Sequence, residues 1–316
     1  MPLPLSTATL RKSESISRHQ YGAIGTRLED PKSAAIYANV NEKVETWTEI
    51  TYFALVKLSI PGIMLPKFII SFYLYFSTTL GEDTFSLPFP MWLPFDWKTP
   101  HGYLIAYAIQ YAAVYYVFHA AVCHLGFLIG SCEILMAFAM DLKQEFNTLV
   151  EKPDENQTEL KKKLSKFIQF HCSAKQLVEE LADLYKFIFS FGVLWSISNI
   201  CSTLLLVEME MVNNAGNLLG LIQPLTLMFW SFVLVLLYCD FGERVCGEFD
   251  AVHNTIEECD WYLFPIEIQK MLLTIMMADQ PVVLKGFANV VITRETSKKI
   301  ANGGYSYFNI LRQFVK

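Results

Sequence analysis

The stretch FIFSFGVLWSISNICSTLLLV at Phe187–Val207 contains no charged residue, and LLGLIQPLTLMFWSFVLVLLY at Leu218–Tyr238 has the same character. A helix needs about 20 apolar residues to cross roughly 30 Å of hydrocarbon, so each stretch is long enough to span a membrane. The whole composition agrees, because 53% of the residues are hydrophobic and only 18% are charged. In soluble domains, about a quarter of the residues are charged. We therefore predict a protein embedded in a lipid bilayer.

Two further apolar runs lie upstream of these stretches. Ile50–Thr78 is long enough for a span, because its lysines can snorkel and a neighbouring helix can satisfy backbone groups that proline frees. Gly102–Met140 has about forty residues, or about 58 Å if helical, which exceeds one membrane thickness. Either one helix projects beyond the bilayer, or Gly126 and Gly130 mark a break. No polar turn interrupts the run, so we expect a single overlong helix whose far end, with Glu133, leaves the lipid.

The segments that connect the apolar runs are polar or rich in proline. Loop 79–101 contains four prolines, which exclude a regular helix, and segment 141–184 is charged with a helical pattern. An asparagine-rich turn lies at 213–217, and the apolar segment 264–292 is interrupted by charges in the manner of an amphipathic helix buried against protein. The fold class that follows is all-α: a polytopic helical membrane protein with four strong spans and a fifth, polar C-terminal span.

The distribution of lysine and arginine predicts the orientation of the spans. These residues number six in the N-terminal segment to residue 49, one in loop 79–101, seven in 141–184, none in 208–217 and four in 240–294. Basic segments stay on the cytoplasmic side of a membrane. We therefore expect a cytoplasmic N-terminus and long helices that project into the cytoplasm.

Several classes of function are excluded by the same sequence. The formal net charge of −6 and the lack of a basic stripe argue against nucleic acid as a partner. None of the common phosphate-binding, dinucleotide-binding or hydrolase motifs is present. His119 and His124 are five positions apart, so they do not share a helix face for a metal, and the seven cysteines contain no C-x-x-C pair. We predict that the chain is not an enzyme and needs no cofactor or metal.

Three stretches together carry a family resemblance. They are Pro94–Trp97 followed by Pro100–Tyr103 before the long apolar run, the segment Asp260–Pro265, and the ending Tyr305–Gln313. In order and spacing they resemble the insect odorant receptor family of seven-transmembrane, odorant-gated cation channel subunits. The likeness runs from about residue 35 to the end. If the run from Ile50 corresponds to the third span of that family, the chain lacks the first two spans.

The resemblance implies a channel assembly and a role for each segment of the chain. Family members are ligand-gated cation channels opened by small volatile molecules, built as heterotetramers with a shared co-receptor subunit in the plasma membrane of olfactory sensory neurons. The implied divisions begin with a cytoplasmic N-terminal segment 1–48, followed by transmembrane helices 49–240 that include the cytoplasmic helical extension 141–184. A cytoplasmic anchor region 241–293 comes next, in which a segment like Pro265–Phe287 lies between subunits. The chain ends in a pore-lining C-terminal helix 294–316.

The C-terminal helix is polar, which is explained if it faces a water path. The polar residues that this interpretation places there are Thr296, Ser297, Asn302, Ser306 and Asn309. The pore-lining candidates that the resemblance implies are Thr296, Ile300, Gly303, Gly304 and Tyr307. An amphipathic helix that lies in the membrane interface explains the same pattern, and the sequence leaves both interpretations open.

A pocket for a small apolar odorant needs apolar walls and few polar anchors. Aromatic and amide side chains in the outer halves of three predicted spans fit this description. The candidates are Phe72, Tyr73 and Phe76 in the first run, Tyr107, Gln110, Tyr111 and Tyr115 in the second, and Gln223 and Trp230 in the fourth. Ordinary packing between helices is the alternative role for each of them.

Two other functions are compatible with a polytopic helical protein. A gustatory-type receptor channel belongs to a sister family, although the ending Tyr305–Gln313 looks more like the odorant branch. A membrane transporter would show inverted repeats and broken helices around a midplane site, and no internal repeat is visible in the sequence. The sequence therefore favours an odorant receptor that signals in olfaction.

Overall fold

The computed structural model describes residues 31–77, 85–89, 91–151, 157–212, 218–278, 280–286 and 290–315, and these are almost entirely helical. The predicted all-α fold is confirmed. The first thirty residues, the start of loop 79–101 and the asparagine-rich turn 213–217 lie outside the described residues. The helices, in chain order, are α1 Pro31–Tyr52, a π-helical segment Phe53–Ser59, α2 Ile60–Ser77, α3 Pro100–Val150, α4 Gln157–Val212, α5 Leu218–Glu257, a 3₁₀ turn Trp261–Leu263, α6 Ile266–Ala278 and α7 Arg294–Val315.

Four helical stretches are long and apolar enough to cross a membrane, as predicted. They are Ile36–Ser77, Pro100–Val150, Gln157–Met209 and Leu221–Glu257. The two apolar stretches Phe187–Val207 and Leu218–Tyr238 lie inside α4 and α5. The polar helix α7 is not among the four, which agrees with its low hydropathy.

The first span begins earlier than the apolar run that marks it. Helix α1 starts at Pro31, well upstream of Ile50, so the polar residues before the apolar run are also helical. The π-helical segment that follows lies immediately before Pro61, which has no backbone N–H to donate to the carbonyl four residues earlier. A widened turn relieves the clash between the proline ring and that carbonyl. Ser59 Oγ also donates to the carbonyl of Ala54 at 2.9 Å.

The second predicted run is one unbroken helix, α3, of 51 residues, so the expected overlong helix is confirmed. Helical structure continues through Gly126 and Gly130. Its start is capped in the usual way, with Pro100 in the first turn and Thr99 Oγ1 accepting a hydrogen bond from the Gly102 N–H at 3.2 Å. A Cβ at Gly102 would overlap the carbonyl oxygen of Asp96, so this position requires glycine.

The predicted amphipathic helix over 264–292 is wrong in its extent. Helix α6 ends at Ala278, and the described residues after it, 280–286 and 290–292, are not helical. Lys285 and Val291 form an antiparallel bridge, in which the Ile292 N–H donates to the Leu284 carbonyl at 2.9 Å. Pro281 explains the difference, because proline removes a helical hydrogen bond and disfavours helical geometry in the residue before it.

The chain divides into two compact units. The first comprises the chain up to Val44, Gly130–Lys186 and Phe241–Ile292. Its core contains the fully buried Phe138, Phe146 and Phe167. Helix α6 is tied to α4 within this unit, because Lys161 Nζ donates to Glu267 Oε2 at 2.7 Å, and this hydrogen bond lowers the pKa of the Glu267 carboxyl below its usual value.

The second unit comprises Glu45–Ile129, Phe187–Asp240 and Thr293–Lys316. It holds the apolar halves of α3, α4 and α5 together with α2 and α7. All nine residues that the sequence suggested for the ligand pocket, and all five suggested for the pore, lie in this unit.

Candidate functional site

A cluster of aromatic rings lies between α2, the start of α3 and the loop that joins them. Phe68 and Phe72 of α2 have ring centroids 4.7 Å apart, and Phe68 is also 4.7 Å from Tyr107 of α3. Phe85 of the loop stacks on Tyr103 of α3 at 4.8 Å. These five rings, which we name the aromatic cluster, are apolar except for two tyrosine hydroxyls.

Hydrogen bonds fix the loop against the aromatic cluster. The fully buried Ser71 accepts a hydrogen bond from the Ser86 N–H at 3.1 Å, and Tyr103 Oη donates to the Ser86 carbonyl at 3.3 Å. Both bonds satisfy polar groups that would otherwise be buried without partners. The loop is therefore held as part of the wall of this site.

Gln110 secures the same loop one turn further along α3. Its Nε2 donates to the Phe89 carbonyl at 2.7 Å, and its Oε1 accepts from the Phe89 N–H at 3.2 Å. The Gln110 side chain is 3% exposed, so it is committed to this backbone contact. Gln110 therefore positions the loop against α3.

We expect Gln110→Leu to lower the free energy of unfolding by about 1–3 kcal/mol, because it leaves the Phe89 N–H and carbonyl without their side-chain partner. The measurement is the thermal unfolding of the detergent-solubilised chain. Gln223→Leu is the matched control, since Gln223 is half-buried on α5 and makes no hydrogen bond with any residue that the structure describes. Equal losses in the two variants would contradict the positioning role of Gln110.

The nine predicted pocket residues separate into two groups. Phe72 and Tyr107 belong to the aromatic cluster, and Gln110 lies beside it. Trp230 packs on a neighbouring apolar cluster that also contacts Phe89 and Tyr107. The others are exposed: Tyr73 by 70%, Phe76 by 80%, and Tyr111 and Tyr115 to a lesser degree. The Phe76 ring nevertheless lies beside the cluster, with its centroid 6.4 Å from that of Phe72. Gln223 is half-buried without a described contact to either cluster.

Sequence reasoning missed Phe68, Tyr103, Phe85 and Phe89. Two of these carry a signal that was available. Phe68 precedes Phe72 by four positions and Tyr103 precedes Tyr107 by four, so each pair shares one helix face. The two loop residues had no such signal, because no periodicity relates them to the helices.

The residues suggested for the pore lie mainly on the side of α7 that packs against its own chain. Thr296 and Ile300 are 8% and 4% exposed. Gly304 is also buried, and a Cβ there would lie 2.7 Å from Ile200 Cγ2 of α4. Gly303 is half-buried, and Tyr307 is exposed. Four of the five therefore lie against the chain's own helices, and only Tyr307 is exposed.

The opposite side of α7 is exposed and polar. Lys299, Asn302 and Ser306 follow one another along this side, and Lys299 Nζ pairs with Glu295 Oε1 at 2.9 Å. Ion pairs fix both ends of the helix to the rest of the unit: Arg294 contacts Asp240 of α5 at 2.6 Å, and Arg312 contacts Glu208 of α4 at 2.5 Å.

The described residues contain no group of three or more histidine, cysteine, aspartate or glutamate side chains placed to hold a metal ion. His119 instead contacts the Tyr115 carbonyl through Nδ1 at 2.9 Å, and His124 contacts the Tyr238 hydroxyl.

Comparison with known proteins decides the family. The model of the 7tm odorant receptor family matches residues 32–305. The chain belongs to this family. Membership confirms the resemblance, and because the family is one of receptors it also confirms that the chain is not an enzyme.

Individual members of the family are similar to this chain at low sequence identity. Putative odorant receptor 85d of Drosophila melanogaster is 22% identical over 251 residues, which cover 76% of this chain and 58% of that protein. The chain thus spans just over half the length of this curated relative.

Solved structures share the fold. The olfactory receptor OR5 from Machilis hrabei superposes with a TM-score of 0.61 at 14% identity, covering 89% of this chain and 70% of that one. Its complex with eugenol gives a TM-score of 0.62 at 16% identity with the same coverage. The odorant receptor fold, as a multi-pass helical membrane protein, is therefore established for this chain.

Proposed function

We propose that this chain is the odorant-binding subunit of a ligand-gated cation channel that signals in olfaction. The observation that carries the proposal is the aromatic cluster, an apolar group of packed rings that includes Phe68, Phe72 and Tyr107 in a chain of the odorant receptor family. A small-molecule site of this kind has apolar walls and few polar groups. The Machilis receptor of the same fold has been solved with eugenol, a small aromatic ligand.

The aromatic cluster favours a compact ligand that contains an aromatic ring or another apolar body with at most a few polar atoms. Aromatic rings pack edge-to-face or offset against one another, and each such pair contributes about 0.5–1.5 kcal/mol beyond the area it buries. The hydroxyl of Tyr107 is the polar group that the cluster offers to such a ligand. Binding would favour one of two channel states by its difference in affinity for them.

Helix α7 is the proposed pore-lining segment. Its buried side is used for packing within the chain, so the water path is assigned to the exposed side at Ser306. Polar side chains on a free helix face favour contact with water over lipid. An interfacial amphipathic helix remains the alternative for α7.

Helix α6 is the proposed contact between subunits. Ile268, Leu272 and Ile275 are buried within the chain, whereas Ile266 is 70% exposed and Met277 is 81% exposed. A helix that is apolar on two faces needs a second partner. We infer that this partner is another subunit of a heterotetramer built with the co-receptor, in the plasma membrane of olfactory sensory neurons and with a cytoplasmic N-terminus.

Patch recording of cells that express this chain with the co-receptor, across a panel of volatile odorants that includes eugenol, tests the proposal. We expect a ligand-evoked cation current. Tyr107→Ala should raise the half-maximal odorant concentration by about tenfold or more, because it removes a ring that contacts two others in the wall. Tyr111→Ala is the matched control, one turn further along α3 with an exposed side chain.

Two outcomes would contradict the proposal. Silence with confirmed surface expression would show that this chain does not form an odorant-gated channel with the co-receptor. An equal loss of sensitivity in the Tyr107 and Tyr111 variants would place the ligand outside the aromatic cluster.

A further inference from the structure

A groove of about 650 Å³ lies between α5 and α7 in the second unit, away from the aromatic cluster. One wall is the face of α5 from Phe232 to Asp240, and the other is the face of α7 from Arg294 to Asn302. Each face extends over two helical turns, which gives the groove a length of about 12 Å.

The groove is apolar along most of its length. Phe232, Leu236 and Ala301 line it, and Leu236 is 38% exposed although it lies in an apolar span. Side chains that are exposed on a membrane-spanning helix contact either lipid or another protein surface. The shape and the apolar walls of this groove fit an extended hydrocarbon chain.

One end of the groove is positively charged. Arg294 is paired with Asp240, and Lys299 is paired with Glu295, so these four charges balance one another. Lys298 lines the groove, is exposed, and has no ion pair with any residue in the described part of the chain. Its ammonium group is therefore the surplus positive charge at this end.

We propose that the α5–α7 groove binds an anionic phospholipid. The phosphate contacts Lys298, with the Arg294 guanidinium beside it, and one acyl chain lies along Phe232, Leu236 and Ala301. Basic pockets between membrane-spanning helices bind anionic headgroups on the cytoplasmic side, and the charge distribution of the sequence places segment 240–294 on that side. The proposal needs α5 to be embedded in a membrane, but it does not depend on channel activity.

Binding of NBD-labelled dioleoyl phosphatidylserine to the detergent-solubilised chain, followed by fluorescence anisotropy, tests this site. Unlabelled dioleoyl phosphatidylserine should displace the probe, whereas dioleoyl phosphatidylcholine and inorganic phosphate should not, because one lacks the net charge and the other lacks the acyl chain. Lys298→Gln should weaken binding about fivefold, the effect of one basic side chain near a lipid headgroup.

Lys299→Gln is the matched control, because it removes an equal charge from the next residue, which does not line the groove. Ala301→Trp should abolish binding by filling the apolar wall, and the helical circular dichroism of each variant confirms that it is folded. Equal weakening by the two lysine variants would overturn the proposal, as would displacement by phosphatidylcholine or by phosphate alone. A chain that binds the lipid as expected but gives no odorant-evoked current would separate this site from the proposed receptor function.

Discussion

Glu133→Gln is expected to lower the free energy of unfolding by about 2 kcal/mol, because it removes the shared partner of two cations. The Glu133 side chain is 3% exposed and lies between two cations of the first unit. Its Oε2 is 3.7 Å from Lys43 Nζ of α1, and its Oε1 is 3.6 Å from a terminal guanidinium nitrogen of Arg244 on α5. The substitution leaves two positive charges facing each other without the carboxylate that separates them.

The size of this effect follows from the exposure of the partners. Removing one member of a fully buried ion pair costs about 3–5 kcal/mol. The side chains of Lys43 and Arg244 are 41% and 36% exposed, so water stabilises the cations that remain and the cost is smaller. The measurement is the thermal unfolding of the chain in detergent. Glu45→Gln, at an exposed position of α1, is the control and should change the midpoint little.

A double substitution distinguishes charge from packing. Glu133→Gln combined with Arg244→Gln should be less destabilising than the sum of the two single changes, because the second removes one of the cations that the first leaves unpaired. Strict additivity would show that the Glu133 carboxylate is not coupled to Arg244.

Gly304→Ala is the second large effect, with an expected loss of about 1–3 kcal/mol. The added Cβ would lie 2.7 Å from Ile200 Cγ2 and 2.8 Å from Ile200 Cβ, and a β-branched side chain on a helix has little freedom to move away. Helix α7 would be forced away from α4. In the proposed channel this change should also alter the probability of opening, because it displaces the pore-lining helix.

Gly303→Ala is the matched control for this prediction. A Cβ at that position meets only Ile197 Cδ1, at 4.0 Å, which is an ordinary van der Waals contact. Replacing glycine by alanine inside a helix stabilises it by roughly 0.5–1 kcal/mol, so this variant should be as stable as the parent or more stable. A comparison of thermal unfolding midpoints tests the pair, and equal destabilisation by the two alanines would contradict the close approach of α7 to α4.

Hydropathy and helical length predicted the spans, because a bilayer imposes its thickness on any apolar segment that crosses it. The overlong α3 was predictable for the same reason, and so was the loop before it, where prolines exclude a helix. The end of α6 at Ala278 could also have been predicted from Pro281. The apolar character of the residues after Ala278 instead favoured a longer helix. Hydropathy alone does not distinguish an extended apolar strand from a helix.

The rotation of each helix about its own axis was harder to predict. Hydropathy places Tyr107 and Tyr111 in the same span, but it does not say that Tyr107 faces the aromatic cluster while Tyr111 is exposed. On α7 the polar residues Thr296 and Ser297 were expected to face water, yet both are buried. The glycine at 304 allows α4 to approach that side closely, and a short hydroxyl side chain is easily accommodated there. Such contacts depend on the neighbouring helix, which the local sequence does not describe.

The long-range ion pairs could not be predicted from the sequence. Glu133 has partners on α1 and α5, far away along the chain, and no periodicity connects them. Gln110 was identified as a candidate, but its bonds to the Phe89 backbone depend on the path of an irregular loop. In both cases the tertiary structure selects one partner among many that the sequence permits.

The π-helical segment Phe53–Ser59 sets the rotation of the aromatic side chains that follow it on α2. A π turn is equivalent to one extra residue in a regular helix, and one residue corresponds to about 100° of rotation. The direction in which Phe68 and Phe72 point is therefore set by the widened turn before Pro61, not only by their own spacing. A deletion of one residue in that turn would swing both rings away from Tyr103 and Tyr107, so the aromatic cluster is aligned by an irregularity more than two helical turns away from it.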